Sequence, residues 1–140
     1  MSRYKRCNSI LIVEDDDSIR DSIVELLTME GYDNVSAVVN GFEALEEIKY
    51  LSLPCLILLD IRMPLMDGYE ILSKIEETGM KDLTHIVIMT AMTMNLTKFP
   101  DHVHMNKPID ITNFMDLINS MCKPEKIQYD NPRRQQEQVL

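Results

Sequence analysis

The chain has 140 residues, 45% of them hydrophobic, with 23 acids against 14 bases and a formal net charge of −9. The length suits one domain and the apolar share is enough for a packed core, which excludes a disordered chain. The acidic balance argues against binding a nucleic-acid backbone, and no apolar run approaches the roughly 18 residues of a membrane span.

The N-terminal segment, with Arg3, Lys5 and Arg6, is basic, but Asp15 follows Ile10–Val13 too soon for a signal-peptide core. A cytoplasmic protein is expected. Ser9 to Val13 is a short apolar run and reads as a first strand. Asp16 or Asp17 then caps a helix whose apolar face is Ile19, Ile23, Leu26 and Leu27, and Gly31 ends it. Val35 to Val39 reads as a second strand. Asn40 and Glu43 have capping-box spacing, ahead of a helix with Phe42, Leu45 and Ile48 on one face. Leu53-Pro54 breaks that helix.

Leu56-Ile57-Leu58-Leu59 then runs straight into Asp60, as a strand buried on both faces would. Pro64 and Asp67-Gly68 mark the loop beyond it. Asp67 is expected to cap a third helix carrying Ile71, Leu72 and Ile75, closed by Gly79. Ile86 to Met89 is a fourth strand ending at Thr90. Residues 91–100 are weakly helical. Val103 to Met105 reads as a fifth strand, and Asp110 opens a last helix with Ile111, Phe114, Met115, Ile118 and Met121 at helical spacing.

Strand and helix alternate five times, which implies an α/β fold: a doubly wound, five-stranded parallel sheet with helices on both faces. Five strands in about 115 residues point to the flavodoxin-like order 2-1-3-4-5. Residues 8–122 are expected to form the domain. Residues 123–140 are polar, with Pro124, Pro132 and a Gln-rich end, and read as a tail. No segment long enough for a DNA-binding or catalytic output module remains. The three cysteines, Cys7, Cys55 and Cys122, are far apart and make no CxxC pattern, so neither a zinc site nor a disulfide framework is expected. Cys55 is assigned to the core. The 11 methionines read as core filler.

In a sheet of this kind the functional crevice lies at the carboxyl ends of the strands. Glu14 and Asp15 follow strand 1, Asp60 ends strand 3, Thr90 ends strand 4 and Lys107 follows strand 5. Each has a plain explanation alone, as a helix cap, a strand end or a solvated lysine. Their convergence on one sheet edge does not. Three carboxylates there repel one another, and a divalent cation relieves the conflict. Mg²⁺, or Mn²⁺, suits such a ligand set together with a phosphoryl group. Lys107 supplies a fixed positive charge and Thr90 a hydroxyl donor, beside a carboxylate that can act as nucleophile.

The segments Val13-Glu14-Asp15-Asp16-Asp17, Leu58-Leu59-Asp60-Ile61-Arg62-Met63-Pro64, Met89-Thr90-Ala91 and Asn106-Lys107-Pro108 resemble the receiver domains of two-component response regulators. The resemblance covers about residues 8–122 and is closest in kind to stand-alone, chemotaxis-type receivers. It implies that Asp60 is the phospho-acceptor. It implies that Glu14, Asp15, Asp60 and the backbone carbonyl of Arg62 hold the metal. Lys107, Thr90 and the amide of Ala91 then contact the phosphoryl group, and the Lys107–Pro108 bond is cis. The implied donor is a sensor histidine kinase, a histidine phosphotransfer protein or a small acyl phosphate. The implied output is altered binding of a downstream protein, with neither nucleic acid nor membrane as partner. Such a chain is a signalling switch rather than a turnover enzyme, although it catalyses its own phosphoryl transfer and dephosphorylation.

Two departures from that pattern stand out. His104 replaces the Tyr or Phe that commonly acts as the switch aromatic; it is either an edge-strand histidine or a pH-sensitive substitute. Only 16 residues separate Thr90 from Lys107, so the fourth helix is expected to be shortened by about one turn. A monomer or weak dimer follows, since that helix contributes to the family's dimer face. Two rival functions remain: a phosphorylation-independent interaction module with a receiver fold, and an aspartyl-phosphate phosphohydrolase. The second is disfavoured by Arg62, which stands where haloacid-dehalogenase-type enzymes need a second acid.

Overall fold

The computed structural model describes residues 7–61, 68–79, 81–90 and 103–122. Five strands, β1 (Ser9–Val13), β2 (Val35–Val38), β3 (Cys55–Asp60), β4 (Thr84–Thr90) and β5 (Val103–Asn106), form one sheet in the order β2-β1-β3-β4-β5. All four pairings are parallel. The described helices are α1 (Asp17–Met29), α2 (Gly41–Ile48), α3 (Gly68–Glu77) and α4 (Ile111–Met121), with a 3₁₀ turn at Lys81–Leu83. The expected doubly wound sheet and its strand order are therefore present. The segment assigned to the shortened helix, and Asp67 with its capping role, lie outside the described residues.

The central strands are apolar without alternation because both of their faces are covered. Leu11, Val13, Ile57, Leu59 and Ile88 point to one side, where Ala44 and Ile48 of α2 and Ile71, Leu72 and Ile75 of α3 meet them. Ile10, Ile12, Leu56, Leu58, Val87 and Met89 point to the other, against Ile23 and Leu27 of α1 and Phe114, Met115 and Ile118 of α4.

Local signals set the helix limits. The side chain of Asp16, not Asp17, caps α1 by accepting from the backbone N–H of Ile19 at 2.9 Å. Gly31 follows α1 at φ 99°, and Gly79 closes α3 at φ 74°. Asp16→Ala is expected to cost about 1 kcal/mol, read as a lower urea midpoint with unchanged slope. Asn40 caps α2 by accepting from Glu43 N–H at 2.9 Å, but the returning arm of the box reaches Val39 N–H at 3.3 Å rather than that of Asn40.

Phe42 departs from expectation. It is 56% exposed, and the buried face of α2 is Gly41, Ala44 and Ile48. The reason is angular: Phe42 stands about 200° from Ala44 around the helix. Ile111 is likewise exposed, at the first turn of α4.

The cysteines supply the main correction. Cys55 is fully buried in β3, as expected, with its Sγ 3.7 Å from Thr84 Oγ1. Cys7 and Cys122, however, are joined by a disulfide across a sequence separation of 115, with Cα atoms 5.0 Å apart. Cys7 precedes β1 and Cys122 ends α4, and the fold brings both to the amino-terminal edge of the sheet within one core cluster. Sequence spacing carries no record of such an approach.

Candidate functional site

The strand register assembles the crevice. Val13 is level with Leu59, so the next residues, Glu14 and Asp60, emerge side by side at the carboxyl edge. Asp60 pairs with Met89 and Thr90 with Asn106, which sets Thr90 and Lys107 beside them. The Lys107 backbone N–H donates to the Thr90 carbonyl at 2.7 Å, anchoring the lysine to the end of β4. The Lys107–Pro108 peptide is cis, as the resemblance implies.

Glu14, Asp60 and Thr90 are all buried, whereas Asp15 is exposed. The Lys107 ammonium lies 2.6 Å from Glu14 Oε1 and 3.2 Å from Asp60 Oδ2. One oxygen each of Glu14, Asp15 and Asp60 can be chosen so that all three lie within 4.8 Å of one another. Three carboxylates against one ammonium leave an acidic oxygen cluster, the donor set that a hard dication prefers. The residues present therefore fit Mg²⁺.

Burial pushes the Glu14 carboxyl up to about 7, reinforced by the neighbouring Asp60 charge and opposed by the Lys107 hydrogen bond. Burial works against the Lys107 ammonium, but its hydrogen bond to Glu14 and the charge of Asp60 outweigh that and hold its pKa above the ordinary lysine value. The native state thus binds the Glu14 proton more tightly than the unfolded chain does. Without metal, the stability owed to this group is full below about 4.5 and lost as pH rises through about 7. Urea unfolding in EDTA is expected to show a decline on the order of 3 kcal/mol across that window. Glu14→Gln should flatten it.

Arg20 is a residue that sequence reasoning set aside as solvated. Its guanidinium donates to the Glu14 carbonyl at 3.0 Å and pairs with Asp17 at 2.5 Å. It thereby fastens the acidic loop to the first turns of α1. The three-residue spacing from Asp17 to Arg20 was the available signal, and it gave no hint of the carbonyl contact. Asp16 adds to the same scaffold through its N–H, which donates to Glu14 Oε2 at 3.2 Å. His104 lies in β5, level with Ile88, and is partly buried. Arg62 and Ala91 lie outside the described residues.

The response regulator receiver domain model matches residues 10–119. Sporulation initiation phosphotransferase F of Bacillus subtilis is 35% identical over 114 residues, covering 78% of this chain and 89% of the relative. Response regulator Rre1 of Synechocystis is 26% identical over 127 residues, covering 87% of this chain but 54% of the relative. A probable transcriptional regulator, ycf29, of Porphyra purpurea is 26% identical over 132 residues, covering 91% and 62%. The chain thus spans little more than half the length of the last two. Among solved structures, a CheY-like receiver domain protein from Methanospirillum hungatei superposes with TM-score 0.67 at 25% identity, covering 78% of this chain and 89% of its own. Chemotaxis protein CheY4 of Vibrio cholerae superposes with TM-score 0.71 at 24% identity, covering 81% and 97%, a likeness of fold.

Proposed function

The chain belongs to the response regulator receiver domain family, and from that premise we propose that it is a phosphorylation switch in which Asp60 accepts a phosphoryl group. The observation that carries this reading is the Asp60 carboxylate: it ends a buried strand, 4% exposed, with the Lys107 ammonium 3.2 Å away. Residues 8–122 are the switch unit and residues 123–140 its tail. The donor is a phosphohistidine on a sensor kinase or phosphotransfer protein, the latter in keeping with the similarity to a phosphotransferase of sporulation initiation. The readout is a protein partner in the cytoplasm. No helix among the described residues is long and apolar enough to cross a membrane.

An Asp60 oxygen attacks phosphorus, the bond from phosphorus to the histidine nitrogen breaks, and a mixed anhydride forms on Asp60. Glu14, Asp15, Asp60 and the Arg62 carbonyl would hold Mg²⁺, which when bound neutralises charge on the phosphoryl oxygens. Lys107 faces the same charge from the β5 side. Thr90 and the Ala91 amide donate to the phosphoryl group once it is attached, and His104, on β5 level with Ile88, serves as the switch residue. Because the product is an acyl phosphate, water cleaves it and returns Asp60. The phosphoryl group can bias the two states only by its differential contacts with Thr90 and Lys107, and that shift in population is what alters the partner-binding surface.

The test is intact-protein mass after incubation with Mg²⁺ and acetyl phosphate, beside an Asp60→Asn variant. The parent should gain one phosphoryl group and the variant none. An unmodified parent, or equal modification of the variant, overturns the reading. Many turnovers of a phosphate monoester per protein would identify a hydrolase instead.

A further inference from the structure

At the opposite edge of the sheet from the acidic crevice, the disulfide between Cys7 and Cys122 ties the segment leading into β1 to the end of α4. The two ends are also held by other means. Asn8 N–H donates to the Pro54 carbonyl at 2.7 Å, and Ile10 N–H to that of Asn34 at 2.9 Å, so the Cys7 side is seated in the sheet. On the other side, the buried Tyr32 hydroxyl lies 2.6 Å from Asn119 Oδ1 and 3.1 Å from the Cys122 carbonyl oxygen. Opening the sulfur bond therefore leaves the two cysteines facing each other. The Cys7 sulfur is 3.7 Å from the Met121 carbonyl oxygen, so a reduced thiol has an acceptor in place. The third cysteine, Cys55, is buried in β3 against Thr84 and cannot compete for a partner.

Access is the remaining requirement. A cavity of about 240 Å³ with polar walls from Asn8, Asp33 and Asn34 reaches Cys7 and Tyr32. A small thiol or small disulfide can enter there and meet Cys7 first, since Cys122 is fully buried.

We propose that Cys7 and Cys122 form a reversible redox clasp that fastens α4 to the start of β1 and is closed and opened by exchange with small thiols and disulfides. In closing, the Cys7 thiolate attacks a small disulfide and releases one small thiol. The Cys122 thiolate then attacks the Cys7 sulfur of the mixed disulfide and releases the second. The protein loses two protons and two electrons, which leave on the two small thiols. The closed form constrains a loop of 115 residues' separation, long enough for a large effect on the unfolded chain. Disulfides in a reducing compartment are mostly of this reversible, sensing kind. The clasp stands apart from Asp60, and its test reads thiols and unfolding alone, so its failure leaves phospho-acceptance untouched.

The full chain is equilibrated with graded ratios of reduced to oxidised glutathione, then alkylated in denaturant and weighed. The count of alkylated cysteines should pass from one to three in a single transition as the reducing fraction rises. The Tm should fall by about 10 °C or more on reduction. Amide exchange through Phe114–Met121 should quicken with it. Cys7→Ser should abolish the Tm difference, while Cys55→Ala keeps it. Three alkylated cysteines at every ratio would show that no clasp forms. One at every ratio, including excess dithiothreitol without denaturant, would show a permanent bond rather than a switch. A Tm indifferent to the sulfur bond would show that it fastens nothing.

Discussion

Lys107→Ala is expected to destabilise the metal-free protein by about 3 kcal/mol at pH 8. The lysine is the cation that the Glu14 and Asp60 carboxylates share, at 2.6 and 3.2 Å, and both of those side chains are at least 94% buried. Truncating it removes the cation these two buried acids share and leaves them to repel each other, and that costs more than the ion pairs contribute when intact. The lysine side chain is itself 21% exposed, which places the expected loss at the low end for a broken buried pair. The loss should shrink toward pH 5, where Glu14 carries a proton. Added Mg²⁺ should restore part of it by binding only the folded state. Phospho-acceptance should slow on the order of a hundredfold or more, as when one preorganised charge is removed from a transition state. A variant within 1 kcal/mol of the parent at pH 8 would mean that water, not Lys107, screens the acids.

Gly68→Ala should be nearly as damaging, about 2–3 kcal/mol, although alanine is the better helix former. A Cβ at Gly68 would lie 2.5 Å from Ile61 Cδ1, 2.8 Å from Ile61 Cα and 3.2 Å from the Asp60 carbonyl oxygen. The Cδ1 atom can swing away. The Cα atom belongs to the backbone immediately after Asp60, the proposed phospho-acceptor, and cannot move without carrying it. The Gly68 N–H also donates to the Ile61 carbonyl at 3.1 Å, so α3 starts directly on that backbone. Urea unfolding measures the loss, and the amide shift of Ile61 should report the displacement. Gly79→Ala is the contrast: it meets nothing within 4 Å but keeps φ at +74°, so it should cost only about 1 kcal/mol of backbone strain. Equal stability of the Gly68 variant and the parent would show that the Asp60 backbone yields freely.

How much of this was legible in the sequence depended on how far each contact reached. Strands buried on both faces announce themselves as unbroken apolar runs, so Leu56–Leu59 and the acid at their end were readable at once. The meeting of Glu14, Asp15, Asp60, Thr90 and Lys107 also followed, because a parallel order sends every strand's carboxyl end to one edge. Phe42 misled because hydrophobicity was weighed above angle, and Ala44, the true core residue, carries little apolar signal. The Cys7–Cys122 bond was out of reach for a different reason. It depends on where α4 ends relative to β1, a distance set by the packing of Phe114, Met115 and Ile118 and not by any local pattern. Arg20 was half hidden: its spacing from Asp17 signalled the ion pair, but its second partner is the Glu14 backbone carbonyl, which no side-chain pattern records.

The division of the core into two faces has a consequence for how the chain comes together. The α2 and α3 side of the sheet can be covered by helices that the ribosome has delivered by Glu77. On the other side Phe114, Met115 and Ile118 arrive last, and until then Leu58, Val87 and Met89 lack part of their cover. A nascent chain must therefore carry a half-dressed sheet until nearly the whole domain has been synthesised, which is when an unpaired apolar face invites aggregation or a chaperone. Among the described residues, α4, the helix whose far end carries Cys122, is the last to be made and so the last that can close the core.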